Sequence, residues 1–289
     1  LAHALGRGGG AVAGGAGIRG DQVLKITMLG TGNALVTECY NTCFVLSEGD
    51  RHFLVDGGGG NTVLRQLKRV GIDWKSIKDI FVTHGHVDHL LGIIWMVRMI
   101  CQYMRQGEYE GEANIYAHEE LISLLNGTAH SLLPEKDTRF IGRRLHLISV
   151  ADGGERQVIG RKTIFFDIHS AKAKQFGFAV SLGNGERLTC CGDEPYSEYE
   201  RSYAEKSKWL LHEAFCLHAQ ADIFHPYEKS HSTVKDAAIT AERLGVKNLL
   251  LYHTEDKNIA DRKSLYLAEG RKYFNGNIFV PNDLETIEL

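Results

Sequence analysis

No run of apolar residues in this sequence is long enough to cross a membrane. The longest, residues 90–104, is interrupted by Arg98 and gives way to Gln102 and Arg105. It falls short of the roughly 20 residues that a spanning helix needs. Cysteine is too sparse for a disulfide-built secreted domain. The six thiols, Cys39, Cys43, Cys101, Cys190, Cys191 and Cys216, are scattered, with only Cys39/Cys43 and the neighbours Cys190/Cys191 close together. Reduced, buried thiols and a cytoplasmic location are the expectation. Charge of one sign is also missing: 33 Lys and Arg face 36 Asp and Glu, a formal net charge of -3. That total carries no electrostatic footprint for nucleic acid, although a local basic patch can sit beneath it. There is no internal repeat. Residues 1–22 are mostly Gly and Ala, without an initiating Met or an apolar core behind a basic lead. They read as a flexible leader or an expression remnant and are set aside.

What is present is an ordinary globular composition, 43% hydrophobic and 24% charged, long enough for one large domain or two small ones. Residues 23–29 read as a buried strand closed by Gly30-Thr31-Gly32-Asn33. Residues 43–46 and 52–56 form two more strands across a Glu48-Gly49-Asp50 turn. Gly57 to Gly60 lead into a helix with Val63, Leu64, Leu67 and Val70 on one face. Residues 77–82 are a strand that delivers Thr83 and a histidine run onto the next loop. Residues 90–104 follow as a helix, with Ile93, Met96, Val97, Ile100 and Met104 at helical spacing; such a stripe is core or a subunit contact. Further strands fall at 113–116, 145–150, 162–168, 176–182, 187–191, 208–211 and 248–252, with a helix at 233–244. Strands come first in each half and helices follow. The order suggests a single domain over 23–289, an α/β four-layer αβ/βα sandwich with two sheets face to face and helices outside.

The chemistry gathers in Thr83-His84-Gly85-His86-Val87-Asp88-His89. On an extended segment, residues two apart point the same way, so His84 and His86 can share one metal while Asp88 and His89 lean toward another. Imidazoles with a carboxylate suit zinc, and also manganese or iron. The run cannot fill two metal shells alone. Three later candidates stand at strand ends: His169 after residues 162–168, Asp193 after 187–191, and His253 after 248–252.

The series His-x-His-x-Asp-His, then His169, Asp193 and His253, resembles the metallo-β-lactamase superfamily. The Gly30-Thr31-Gly32 turn and Val55-Asp56-Gly57 match as well, so the resemblance covers roughly residues 23–289. It implies two divalent ions, zinc foremost with manganese or iron as alternatives. His84, His86 and His169 would hold one ion, Asp88, His89 and His253 the other, and Asp193 would bridge them. Two further motifs, His212-Glu213-Ala214-Phe215 and His231-Ser232-Thr233, resemble elements of ribonuclease Z, which trims precursor tRNA at its 3′ end. That likeness implies phosphodiester hydrolysis by a metal-bridging hydroxide, with Glu213 orienting His231 as proton donor and Asp88 completing the catalytic set. It also implies a homodimer.

Three departures bear on the substrate. Ribonuclease Z usually carries a long tRNA-gripping arm between the equivalents of His169 and Asp193, which here are 24 positions apart, room for two strands and a turn. Val87 stands where Gly is usual, and Phe215 replaces a Thr. The acidic run Glu108-Tyr109-Glu110-Gly111-Glu112 reads as a solvated loop. Basic residues that could meet a phosphate are Arg143, Arg144, Arg161, Lys162, Lys172 and Lys174, the last two nearest a ligand. Asn33 and Asn41 are substrate-facing or turn residues. The leading expectation is a dinuclear zinc phosphodiesterase for a small phosphodiester or an RNA end. The alternative is hydrolysis of a carboxylic ester, lactone, lactam or thioester on the same ions. A metal-stabilised binding module is the non-enzymatic reading, against which the intact ligand set argues.

Overall fold

The computed structural model describes residues 23–289, so the leader assigned to residues 1–22 lies outside the described residues. The first half runs β1 (Lys25–Gly30), β2 (Cys43–Glu48), β3 (Arg51–Val55), α1 (Thr62–Arg69), β4 (Ile77–Phe81), α2 (Val87–Gln106), β5 (Ala113–Ala117), α3 (Glu119–Leu132), α4 (Glu135–Thr138) and β6 (Leu145–Ser149). The second half begins with β7 (Gly154–Val158), β8 (Arg161–Asp167), β9 (Phe176–Gly183), β10 (Glu186–Cys190), α5 (Arg201–Ala204) and β11 (Trp209–Glu213). It continues through α6 (Ala221–Phe224), α7 (Val234–Leu244), β12 (Asn248–Tyr252), α8 (Arg262–Gly270), β13 (Asn277–Phe279) and β14 (Thr286–Glu288).

The strands form two seven-stranded sheets, ordered β14-β1-β2-β3-β4-β5-β6 and β13-β12-β11-β10-β9-β8-β7. Each begins as an antiparallel meander and continues in parallel strands joined by helices. The sheets face each other across Phe44, Phe53, Phe81, Phe165, Phe178, Leu211 and Leu250. Their alternate residues turn outward: Val45, Leu54 and Ile80 meet α1 and α2, while Leu210, Leu249 and Leu251 meet α7 and α8. Both faces of the central strands are therefore buried, and the four-layer αβ/βα sandwich stands as expected. Phe178 anchors the middle layer with edge-on contacts to Phe53 and Phe81, both at 5.6 Å between centroids.

Four details differ from the sequence reading or resolve it. Helix α2 starts at Val87 rather than residue 90, with His86 as its N-cap, so Asp88 and His89 sit in its first turn. Its Met-bearing face, from Ile93 to Met104, is core, whereas Val87, Leu91 and Trp95 face solvent. Between β9 and β10 the chain makes a tight turn at Asn184-Gly185, with no arm. In the acidic run the glutamates are exposed, while Tyr109 is buried and its hydroxyl donates to the Ile77 carbonyl at 2.8 Å.

The seat of α2 on the loop after β3 is unusually close. Gly57 N donates to His89 O and Gly92 N donates to Gly58 O, both at 2.9 Å. A Cβ on Gly92 would stand 1.8 Å from the Gly57 carbonyl oxygen. Backbone cannot move aside cheaply, so Gly92→Ala should destabilise the chain by about 1–3 kcal/mol. Urea unfolding reads this directly, and an unchanged midpoint would contradict the close packing.

Candidate metal centre

The ligand candidates converge because four strand ends and one helix start meet at the same edge of the sandwich. Beyond β4 the chain stays extended through Val82 to His86, which turns His84 and His86 to one side. His84 Nε2 lies 2.8 Å from His86 Nδ1. The first turn of α2 then presents Asp88 and His89. From the second sheet come Asp193, past β10 and Gly192, and His253, directly after β12. Oδ2 of Asp193 is the hub: it lies 3.6 Å from His84 Nε2, 3.4 Å from His89 Nε2 and 3.4 Å from His253 Nε2. Asp88 Oδ2 reaches the same His89 and His253 nitrogens at 3.4 and 3.7 Å.

A residue that the sequence reading quoted but gave no role organises this cluster. Asp56, past β3, is buried and accepts hydrogen bonds from the Thr83 amide (2.8 Å), the Thr83 hydroxyl (2.8 Å) and His89 Nδ1 (2.7 Å). The last bond fixes the His89 tautomer and leaves Nε2 facing the centre. Gln175 does the same for Asp193, donating to Oδ1 at 2.5 Å so that Oδ2 is free to turn inward. Such outer partners commonly orient metal ligands. An acid after a strand and before a glycine, as at Asp56-Gly57, was the only signal for it in the sequence.

The electrostatics suit cations. Burial pushes the His84 imidazole down to about 3, keeping it neutral with a lone pair available. Burial also disfavours charge on His89, but the carboxylates of Asp56, Asp193 and Asp88 outweigh it and raise its pKa well above the ordinary value. Asp88 and Asp193 are likewise held below the usual carboxylate range, because the imidazoles around them overcome the cost of burial. Three buried carboxylates thus demand positive charge. Buried nitrogens aimed inward, His89 Nε2 and His253 Nε2, have no hydrogen-bond partner among the described residues. Donor atoms of His84/His89/Asp193 and of Asp88/His89/His253 each lie within 4.8 Å of one another. Imidazole and carboxylate donors fit divalent ions, and on His89 an ion would take the place of the proton that the surrounding carboxylates favour.

Of the expected ligand set, His84, Asp88, His89, Asp193 and His253 form this cluster, exposed His86 touches it through His84, and His169 is not among its donor groups. His169 is exposed, with its ring 4.0 Å from that of Tyr199, and its backbone is held at φ 57° by Asp167, which accepts from its amide. Asp56 and His253 share that left-handed conformation, at φ 57° and 56°. Glu213 and His231 do meet the cluster. Glu213 is fully buried, one oxygen taken by the Ser232 amide and the other 3.6 Å from His231 Nδ1. The His231 ring lies 5.1 Å from that of His253.

A cleft of about 230 Å³ opens over these groups, walled by Leu35 and Phe215 and bordered by Lys172 and Lys229. Lys172 is the sole member of the expected basic set on that cleft among the described residues. Lys174 pairs with Glu120, Arg161 with Glu48 and Lys162 with Glu155, and Arg144 bonds the carbonyls of Tyr109 and Gly111. Asn33 and Asn41 close a loop: Asn41 donates to Asn33 O, and Asn33 Oδ1 accepts from the Leu35 amide. Asn33 also lines the cleft.

A sequence model of the family described as anti-Pycsar protein Apyc1 matches residues 24–265. The chain belongs to this family. A relative, the ribonuclease Z of Natronomonas pharaonis, is 26% identical over 314 aligned positions, covering 92% of the chain and 98% of the relative. That alignment is longer than the 289-residue chain, so the relative carries segments this chain lacks. The metallo-β-lactamase fold protein YhfI from Bacillus subtilis superposes with a TM-score of 0.71 at 18% identity, over 92% of the chain and 99% of that protein. The short form of human tRNase Z gives 0.69 at 20% identity, over 91% and 98%. The fold is the metallo-β-lactamase fold, and the ribonuclease Z likeness seen in the motifs extends over nearly the whole chain. With its clustered donors, this member of the Apyc1 family is a metal-dependent hydrolase.

Because Asp56 sets the direction of His89 without itself facing the middle of the cluster, its loss should act on metal affinity. Asp56→Ala should weaken zinc binding by about 10–100-fold, measured by calorimetric titration of metal-stripped protein. An affinity equal to the parent's would remove Asp56 from that role.

Proposed function

We propose that the chain is a dinuclear zinc phosphodiesterase that acts on small phosphodiesters, with residues 23–289 as one catalytic domain. The observation that carries this reading is the Glu213–His231 pair standing against the ligand cluster, with His231 lining its cleft. A phosphodiester expels an alkoxide, which needs a proton, and an imidazole beside a carboxylate is suited to give one. His84, His86 and Asp193 would hold one ion and Asp88, His89 and His253 the other. Asp193 would be shared, and His169 is the remaining candidate for the first ion. When bound, the ions supply Lewis acidity, lowering the pKa of a shared water and screening charge on the phosphoryl oxygens.

The chain's own residues do the rest. His231 protonates the leaving oxygen, and the Glu213 carboxylate 3.6 Å from Nδ1 leaves the other ring nitrogen for substrate. Lys172 and Lys229 attract the phosphate anion into the cleft. The tight β9–β10 turn and the small cleft support a compact diester over a tRNA body. Six free cysteines, nearly all buried, support a reducing compartment, the cytoplasm.

The test is a panel of bis-(p-nitrophenyl) phosphate, cyclic nucleotides, precursor tRNA and lactones, with zinc or manganese supplied and metal quantified. Diester hydrolysis with two zinc ions per chain is expected. His231→Ala and Glu213→Gln should each lower kcat on an alkoxide-leaving diester by roughly 10²-fold or more. Turnover of lactones alone, undiminished in both variants, would transfer the reading to carboxylic ester chemistry.

We also propose a homodimer. Val87, Leu91 and Trp95, four residues apart on the solvent side of α2, are 64%, 41% and 37% exposed. They form an apolar stripe that a second copy would cover. Light scattering should give twice the chain mass, and Leu91→Glu with Trp95→Glu should give the monomer. A monomeric parent across a concentration series would refute the pairing.

A further inference from the structure

We propose that Phe215 is a positioning residue that holds the His231 ring in the plane from which it protonates the leaving oxygen; this rests on the phosphodiesterase reading above. Glu213 and Phe215 are two residues apart in an extended segment and so face the same way, both toward His231. The carboxylate alone defines the imidazole poorly. Its contact with Nδ1 is 3.6 Å, past hydrogen-bonding range, and both atoms lack any hydrogen-bond partner. A single distant point contact leaves the ring free to tilt. Phe215 supplies the missing constraint, with its ring 4.7 Å from that of His231 and the two planes within 14° of parallel.

The platform itself is fixed. Phe215 is 4% exposed, its amide donates to Ser232 O at 2.9 Å, and its carbonyl accepts from the Glu255 amide at 2.8 Å. The first of these bonds ties it to the residue beside His231, so ring and platform move together. Lys229 Nζ stands 5.2 Å from the Phe215 centroid, a cation–π contact that holds the aromatic ring from the cleft side. Where the ribonuclease Z motif carries Thr, this chain substitutes a stacked plane for a small hydroxyl.

The step it serves is the departure of the alcohol. An oxygen from water forms the new P–O bond, the ester P–O bond breaks, and the departing oxygen takes the proton carried by His231. The proton shed by the water passes to solvent. Orientation errors in such a transfer are costly, with ~1 Å of misplacement able to lose ~100-fold in rate.

The experiment compares zinc-loaded parent, Phe215→Leu, Phe215→Tyr and His231→Ala on two diesters. Bis-(p-nitrophenyl) phosphate expels a phenolate that needs no proton, and the best-turned-over alkoxide-leaving diester of the panel needs one. Phe215→Leu should lose roughly tenfold more kcat on the alkoxide diester than on the nitrophenyl one, a fraction of what a general acid contributes, with KM little altered. Phe215→Tyr, which keeps the ring, should restore the parent ratio. The imidazole protons of His231, identified by their absence in His231→Ala, should show a ring-current shift in the parent that Phe215→Leu removes. Melting temperatures check that each variant is folded. Equal losses on both diesters in Phe215→Leu, or a ring-current shift that survives it, overturn the inference while leaving the acid role of His231 intact. Equal losses in His231→Ala would instead overturn the acid role itself, and this inference with it.

Discussion

One carboxylate, that of Asp56, ties the two sequence segments on which the site depends. It accepts from the backbone and side chain of Thr83 and from the ring of His89. The first two bonds fix how the chain leaves β4, and the third fixes the first turn of α2. Between those anchors lie His84, His86 and Asp88, and the Thr83 hydroxyl that Asp56 holds also meets His84 Nδ1 at 3.0 Å. Burying Asp56 leaves a charge that must be matched, and hydrogen bonds from three donors are the usual way such a group is tolerated. The close seat of Gly92 on Gly57 completes the clamp, since it brings the start of α2 within reach of Asp56 at all.

The centre then divides into parts with different duties. Asp88 and Asp193 concentrate negative charge where buried imidazoles point lone pairs inward, a combination that calls for cations. His231 stands beside it on the wall of the cleft, with Glu213 buried next to its Nδ1. Lys172 and Lys229 border the opening. The two ammonium groups at the opening thus stand against the carboxylates of Asp88, Asp193 and Glu194 that also line the cleft. Phe215 and Leu35 add apolar walls.

Much of this was legible in the sequence, for identifiable reasons. The strand at residues 248–252 is buried throughout and stands out as a nearly continuous apolar run, while that at 77–82 is marked by Ile80, Phe81 and Val82. The ligand series was legible because metal-binding side chains are rare at such density and recur at strand ends. What escaped detection was polar or contextual. Strands β7 and β14 are short, charged edge strands with no apolar pattern to find, as edges commonly are. Helices α3 and α8 gave no signal that was acted on, although Leu121, Leu125 and Tyr266 are buried. The start of α2 was set three residues late because ligand residues do not look like a helix face. His169 has the right chemistry at the right position, yet its ring turns outward to Tyr199 although its backbone shares the left-handed conformation of His253.

That left-handed backbone recurs at Asp56 and His253, where a side chain with a Cβ is held in a conformation that glycine or asparagine adopts at less cost. Strain of this kind, of order 1–3 kcal/mol at each position, sets folding and chemistry in opposition at the same residues. At Asp56 the three hydrogen bonds accepted by the carboxylate offset that cost, so exchange for glycine would relax the backbone and sever the tie between Thr83 and His89 in one step.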